Sequence, residues 1–301
     1  MTVQTGTLDL GLAQVRRRMA DFVALTKPRM VLMVLITTLV GFYLGSWSGP
    51  QAGRLLATLV GTALAAGGTL ALNQFLEREV DARMERTRLR PLPDGRLQPV
   101  EALAFGAAIS AAGVLLLALA VSPLSGLIAA AIVCSYLFLY TPLKRRSALC
   151  SVVGAVPGAL PPVIGWAAAR GELGLGAWLL FAILFLWQIP HALAIARLYR
   201  EDFARAGFRL LPVLEPDGRS TGRQVVAHSL ALLPVSLLPT VTGLAGTVYF
   251  VTALALGLAF LACGIGLAVS RSPAAARRLL CASLIYLPAL LLVMAFDKVG
   301  L

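Results

Sequence analysis

Asn73, Glu77 and Asp81 stand four residues apart in the run Asn73-Gln-Phe-Leu-Glu77-Arg-Glu-Val-Asp81. On a helix each such step drifts only about 40°, so the three side chains share one stripe roughly 12 Å long. Oxygen donors in a row suit a hard divalent cation. Mg²⁺ takes such ligands, keeps several waters and usually completes its shell with substrate phosphates. Guanidiniums crowd the same stretch at Arg78, Arg83, Arg86 and Arg90, and their forked donors match phosphate oxygens. Carboxylates and arginines at one helix end describe a Mg²⁺–diphosphate site. A solvated helix end with Glu–Arg pairs is the competing reading, and Glu79 and Glu85 fit it well.

A second polar run is Trp187-Gln188-Ile-Pro190-His191, followed by Arg197, Tyr199-Arg200-Glu201-Asp202-Phe203 and Arg205. Gln188, His191 and Arg197 enter it from an apolar stretch, and Glu201 and Asp202 offer further metal ligands. Pro190 can open a helix one turn back, near residue 186. His191 reads either as a structural hydrogen-bonding residue or as a working one. A third run, Tyr140-Thr141-Pro142-Leu143-Lys144-Arg145-Arg146-Ser147, offers a cationic wall for the same site.

The elements that must hold these groups follow from composition. The 301 residues are 58% hydrophobic and only 13% charged, about half the charge of ordinary soluble domains. The mean hydropathy is +0.84. A water-soluble domain of this size cannot hide so much apolar surface, and disorder needs the opposite composition. The chain reads as all-α and polytopic in a lipid bilayer. Nine stretches are long enough to cross it: 24–46, 54–75, 99–121, 123–141, 149–168, 174–196, 224–245, 247–270 and 276–296. Trp47–Gly53, Val121-Ser122-Pro123 and Ala245-Gly246 read as hairpin turns. Pro157, Pro161 and Pro162 interrupt the fifth stretch, which predicts a kinked helix lining a cavity. The four cysteines form no C-x-x-C pair and read as small apolar side chains.

The formal net charge is +12. Of the 26 lysines and arginines, all but Arg54, Arg170 and Lys298 fall in the N-terminal segment and the first turns of the first span, or in and beside the even-numbered connections. The positive-inside rule then places the N-terminus in the cytoplasm and the C-terminus outside. Residues 1–23 form a cytoplasmic N-terminal segment and 24–297 a single nine-helix domain. The charge sits between apolar runs, so membrane orientation and anionic ligands explain it and nucleic acid does not. Three polar loops on one face suggest a cavity open to the cytoplasm and to lipid. Its occupant would have an anionic head and a long apolar tail, as a prenyl diphosphate does.

The run Asn73-x-x-x-Glu77-x-x-x-Asp81-x-x-Met84-x-Arg86-Thr87-x-x-Arg90-Pro91-Leu92 resembles the first signature of the UbiA superfamily of intramembrane prenyltransferases. Within that superfamily it is most similar to the branch that farnesylates haem. Thr26-Lys27-Pro28-Arg29, Tyr140-Thr141-x-Leu143-Lys144-Arg145 and Pro161-Pro162-x-Ile164-Gly165-Trp166 agree with it. So does Trp187-Gln188-x-Pro190-His191 with Asp202-Phe203-x-x-Ala206-Gly207 and Leu211-Pro212-Val213.

The resemblance implies nine transmembrane helices around a central cavity open to the cytoplasmic side, in the cell inner membrane. It implies transfer of farnesyl from farnesyl diphosphate to a vinyl group of haem B, with water, giving haem O and pyrophosphate. Asn73, Glu77, Asp81, Glu201 and Asp202 would hold Mg²⁺. Arg78, Arg86, Arg90, Lys144, Arg145 and Arg197 would take the diphosphate, and His191 would serve haem contact or proton handling. Downstream it implies service to a haem A synthase or to haem–copper oxidase assembly. Two departures stand out: Glu77 occupies a position where the superfamily commonly has Asp, and the second loop lacks a D-x-x-x-D. A relative acting on another aromatic or tetrapyrrole acceptor is the alternative. A transporter would bury its charges mid-span, whereas here they gather at one face.

Overall fold

A backbone in lipid has no water to satisfy it, so each apolar run must close its own hydrogen bonds as helix. The computed structural model describes residues 3–46 and 51–299, with side chains from residue 14 onward. A lead helix, α1 (Val3–Leu25), precedes the spans. The spans are α2 (Pro28–Gly45), α3 (Ala52–Asp81), α4 (Pro99–Val121), α5 (Pro123–Leu143), the broken pair α6 (Cys150–Ala159) and α7 (Pro161–Arg170), and α8 (Leu175–Leu198). Two short helices, α9 (Arg200–Arg205) and α10 (Leu211–Leu214), lead to α11 (Arg219–Val241), α12 (Thr247–Ser270) and α13 (Pro273–Phe296). Among the described residues nine segments are long and apolar enough to cross a membrane, in the places the hydropathy pattern predicts. The hairpin expected over 47–53 lies partly outside the described residues.

Starts and stops are written locally. Proline opens α2, α4, α5, α7 and α13, where its missing N–H costs nothing. Ser122 and Ser272 cap α5 and α13 by accepting from Ser125 N and Ala275 N. The fifth span breaks at Leu160, between α6 and α7, as its prolines predict. Pro190 does not open α8, which runs continuously through it. A turn and a half near the end of α5, Ser135–Tyr140, is π-helical, a widening that often marks functional sites.

The helices close a ring. α2 packs on α3 and α7, α3 on α4, and α8 on α6, α11 and α13, while α13 returns to α2. The return is tied by Lys298 Nζ, which donates to the Tyr43 and Ser46 carbonyls at 2.8 and 2.6 Å. The α2–α7 seam depends on two glycines. A Cβ on Gly165 would lie 2.0 Å from the Thr38 carbonyl oxygen, and one on Gly41 2.0 Å from that of Pro162. Close backbone approach of this kind is how membrane helices pack without a hydrophobic drive. Gly165→Val is therefore expected to abolish folded protein; a monodisperse gel-filtration peak at wild-type yield would contradict this.

Alternation of the spans brings the start of α2, the end of α3, the end of α5 and the end of α8 to one face. Below that face lies an apolar chamber of about 140 Å³. Thr62, Ala65, Ala66 and Thr69 of α3 line it, opposite Ile132 and Tyr136 of α5 and Pro157 and Pro161. The kinked fifth span thus lines a cavity, as expected. Cys150 is buried, but Cys134 and Cys281 are exposed on the bundle surface.

Candidate active site

α3 runs on to Asp81, six residues beyond its expected span, and this extension carries the polar stripe. Asn73, Glu77 and Asp81 are all buried, at 1%, 8% and 1% exposure. Burial of two carboxylates demands partners, and each has one. Arg90 Nη1 donates to Asp81 Oδ2 at 2.7 Å. Lys144 Nζ donates to both Glu77 oxygens, at 2.9 and 3.2 Å. Asn73 Nδ2 donates to Thr141 Oγ1 at 3.2 Å, and Thr141 Oγ1 donates to the Tyr136 carbonyl in the π turn. The loop after α3 folds back because Thr87 Oγ1 donates to the Asp81 carbonyl at 2.7 Å, which presents Arg90 to the stripe.

The second loop joins from the other side. Val80 and Met84 pack with Ala206 and Phe208 in one apolar cluster. Arg86 lies over the rings of Tyr199 and Phe203, 5.4 and 5.7 Å from their centroids. Arg209 N donates to the Lys144 carbonyl at 2.8 Å. These contacts bring Asp202, 9% exposed and paired with Arg205, to the same face as the α3 stripe. Lys144 also sits 4.4 Å from the Tyr140 ring centroid. Burial works against its ammonium, but Tyr140 and Glu77 outweigh that and hold its pKa above the ordinary lysine value.

Five sequence-derived site residues are not brought into the cluster. Arg78 is a quarter-turn from Glu77 and curls back over Phe75, donating to that residue's carbonyl and to exposed Glu79. Arg197 ties two loops together through the carbonyls of Pro216 and Arg271, each at 2.8 Å. Arg145 and Glu201 are exposed, because adjacent helical residues point about 100° apart and their neighbours Lys144 and Asp202 take the inward direction. His191 also stands apart from the carboxylates, against Ser283 of α13.

Lys27 is the site residue that loop-by-loop reasoning missed, although it lies within the Thr-Lys-Pro-Arg run. It adopts a left-handed conformation, φ 50°, at the start of α2. The chain before it is pinned by Gln74, whose Nε2 donates to the Leu25 carbonyl at 2.7 Å. Burial, then the facing charges of Arg90 and Lys144, push its pKa down to about 7, against the pull of Asp81 and Glu77. In the free protein Lys27 is therefore protonated below about pH 7 and neutral above. A bound diphosphate favours the cation and raises that pKa. At pH 8 binding of pyrophosphate is expected to take up a proton through Lys27, and not in Lys27→Met. Calorimetry in two buffers of different ionisation enthalpy reads this; equal uptake in both proteins would contradict it.

Among the described residues no three His, Cys, Asp or Glu side chains gather closely enough to cage a metal. The donors fit a different kind of site. They are buried oxygen ligands on one face, and each carboxylate among them is paired with a cation that can exchange it for a phosphate oxygen. That suits an ion sharing its shell with a diphosphate and water.

The comparisons agree with this architecture. A model of the UbiA prenyltransferase family matches residues 34–288. A protoheme IX farnesyltransferase of Solibacter usitatus is 50% identical over 295 residues, covering 94% of this chain and all of that protein. Another, of Salinibacter ruber, is 44% identical over 277 residues, covering 92% and 98%. Among solved structures, a digeranylgeranylglyceryl phosphate synthase superposes with TM-score 0.78 at 17% identity, over 95% of this chain and 100% of that one. A UbiA homologue from Archaeoglobus fulgidus bound to GPP and Mg²⁺ gives 0.66 at 17% identity, over 91% and 99%. The chain belongs to the UbiA prenyltransferase family.

Proposed function

We propose that this protein transfers the farnesyl group of farnesyl diphosphate to a vinyl group of haem B, giving haem O and pyrophosphate. The observation that carries the reading is a rim of buried, cation-paired carboxylates on Glu77 and Asp81 set above an apolar chamber. The names of the relatives, 50% and 44% identical over nearly the whole chain, supply the acceptor. Asn73, Glu77, Asp81 and Asp202 would hold Mg²⁺ against the diphosphate. When bound it supplies positive charge where the leaving group becomes negative.

The chain's own residues do the rest. Arg90, Lys144, Arg86 and Lys27 neutralise the departing pyrophosphate as the bond from C1 to oxygen breaks. The terminal vinyl carbon bonds to C1, and the cation moves to the carbon beside the porphyrin ring. Water adds there and releases a proton, giving the hydroxyethylfarnesyl group. The apolar walls keep bulk water from the allylic cation before the vinyl reaches it. From Asn73 down to Thr62, α3 falls by roughly 16 Å, about the reach of an extended farnesyl chain. Thr62→Phe should fill the chamber floor and shift preference from farnesyl toward geranyl diphosphate by at least about tenfold. Unchanged relative rates with the two donors would rule out that placement of the tail.

In this reading residues 24–297 act as one domain in the cell inner membrane. The basic face and the N-terminus lie in the cytoplasm, and the product passes to a haem A synthase or to haem–copper oxidase assembly. The test is purified protein with haem B, farnesyl diphosphate and Mg²⁺, with mass analysis of the porphyrin. Haem O as product supports the reading; prenylation of another acceptor with haem B untouched would replace it.

A further inference from the structure

Ser283 is fully buried on α13, in the middle of an apolar span, and its hydroxyl meets two groups. It donates to the Leu280 carbonyl at 2.6 Å, and its Oγ lies 2.7 Å from His191 Nδ1 on α8. A hydroxyl has one proton, and a carbonyl oxygen can only accept. With that proton committed to Leu280, the proton between Ser283 and His191 must come from the imidazole. His191 is thereby held as the Nδ1–H tautomer, and Nε2 keeps its lone pair.

Two more contacts fix the ring. Trp187, one turn earlier on α8, stacks on it with centroids 4.9 Å apart and planes 20° apart. Trp187 Nε1 in turn donates to the Ser283 backbone carbonyl at 2.9 Å. One serine therefore receives a hydrogen bond from each member of the stacked pair. His191 is only partly buried, and among the described residues Nε2 meets no hydrogen-bond or ion-pair partner. A histidine with one ring nitrogen donating to a fixed acceptor and the other bare is arranged as metal-ligating histidines are. The diphosphate cluster has no use for it: His191 makes no hydrogen bond or ion pair with Asn73, Glu77, Asp81, Lys144 or Arg90.

We propose that Ser283 and Trp187 position His191 so that its Nε2 binds the iron of the haem acceptor, holding the macrocycle while a vinyl group meets the farnesyl donor. This rests on the haem reading above. The test is titration of ferric haem B into the full-length protein in detergent, followed by absorption and electron paramagnetic resonance. The wild type is expected to show nitrogen-ligated haem. His191→Ala and His191→Gln should lose that signature, and added imidazole should restore it in His191→Ala.

Ser283 is a positioning residue, so Ser283→Ala should keep the ligand but weaken haem affinity about 10- to 100-fold. Ser283→Thr, which retains the hydroxyl, should return the wild-type spectrum. Identical haem spectra in wild type and both His191 variants would overturn the iron contact. Unchanged affinity in Ser283→Ala would overturn the positioning role. Haem O formation, scored separately in the wild type, separates these failures from failure of the acceptor assignment itself.

Discussion

Asp81→Asn lowers kcat/KM for farnesyl diphosphate by roughly 10²–10³-fold, much of it as a raised KM, because the ion that grips the diphosphate in both the ground and transition states loses a ligand. Asparagine keeps the shape and can still accept from Arg90, which holds Asp81 Oδ2 at 2.7 Å. The loop after α3 should stay folded, since Thr87 bonds the backbone carbonyl of residue 81 and not its side chain. Steady-state rates on protein that passes gel filtration read the effect. A kcat/KM within threefold of wild type would remove Asp81 from the reaction.

The second large effect is at Lys144. It is the partner of both Glu77 oxygens, and the two side chains are 13% and 10% exposed. Removing one member of a buried pair leaves the other charge uncompensated, at a cost of roughly 3–5 kcal/mol. Lys144→Met should therefore lower the melting temperature as well as turnover, the latter by about 10²-fold through loss of a cation beside the leaving group. The two losses separate in Lys144→Met/Glu77→Gln. Neutralising both members recovers stability, because a buried pair is worth little more than its uncharged replacement, but leaves activity low. If the double variant regained activity too, the pair would be structural only.

These expectations show which parts of the molecule the sequence makes legible. Hydropathy locates the spans because each must be long and apolar, and prolines 157, 161 and 162 announce the break at Leu160. The i, i+4, i+8 spacing puts Asn73, Glu77 and Asp81 on one buried face. Spacing does not say which cation meets which carboxylate. Lys144 reaches Glu77 across 67 residues, and that pairing exists only because α5 packs beside α3. Composition also credits every arginine in a basic loop equally. Arg78 instead donates to a carbonyl of its own helix and Arg197 to carbonyls of two loops, a matter of helix face and loop closure. Ser283 carries no local signal, being a lone serine in an apolar span whose meaning depends on α8 lying against α13. Lys27 hides for a related reason: it looks like a topology charge until the turn at Gln74 and Leu25 sets it against the stripe.

The account turns on whether the α3 stripe and its cations hold a diphosphate through a divalent ion. Calorimetric titration of farnesyl diphosphate into the purified protein tests this, with Mg²⁺, with a chelator, and with Asp81→Asn in Mg²⁺. Tight binding in the first case, and at least hundredfold weaker binding in the other two, is the predicted result. Equal affinity in all three would contradict it.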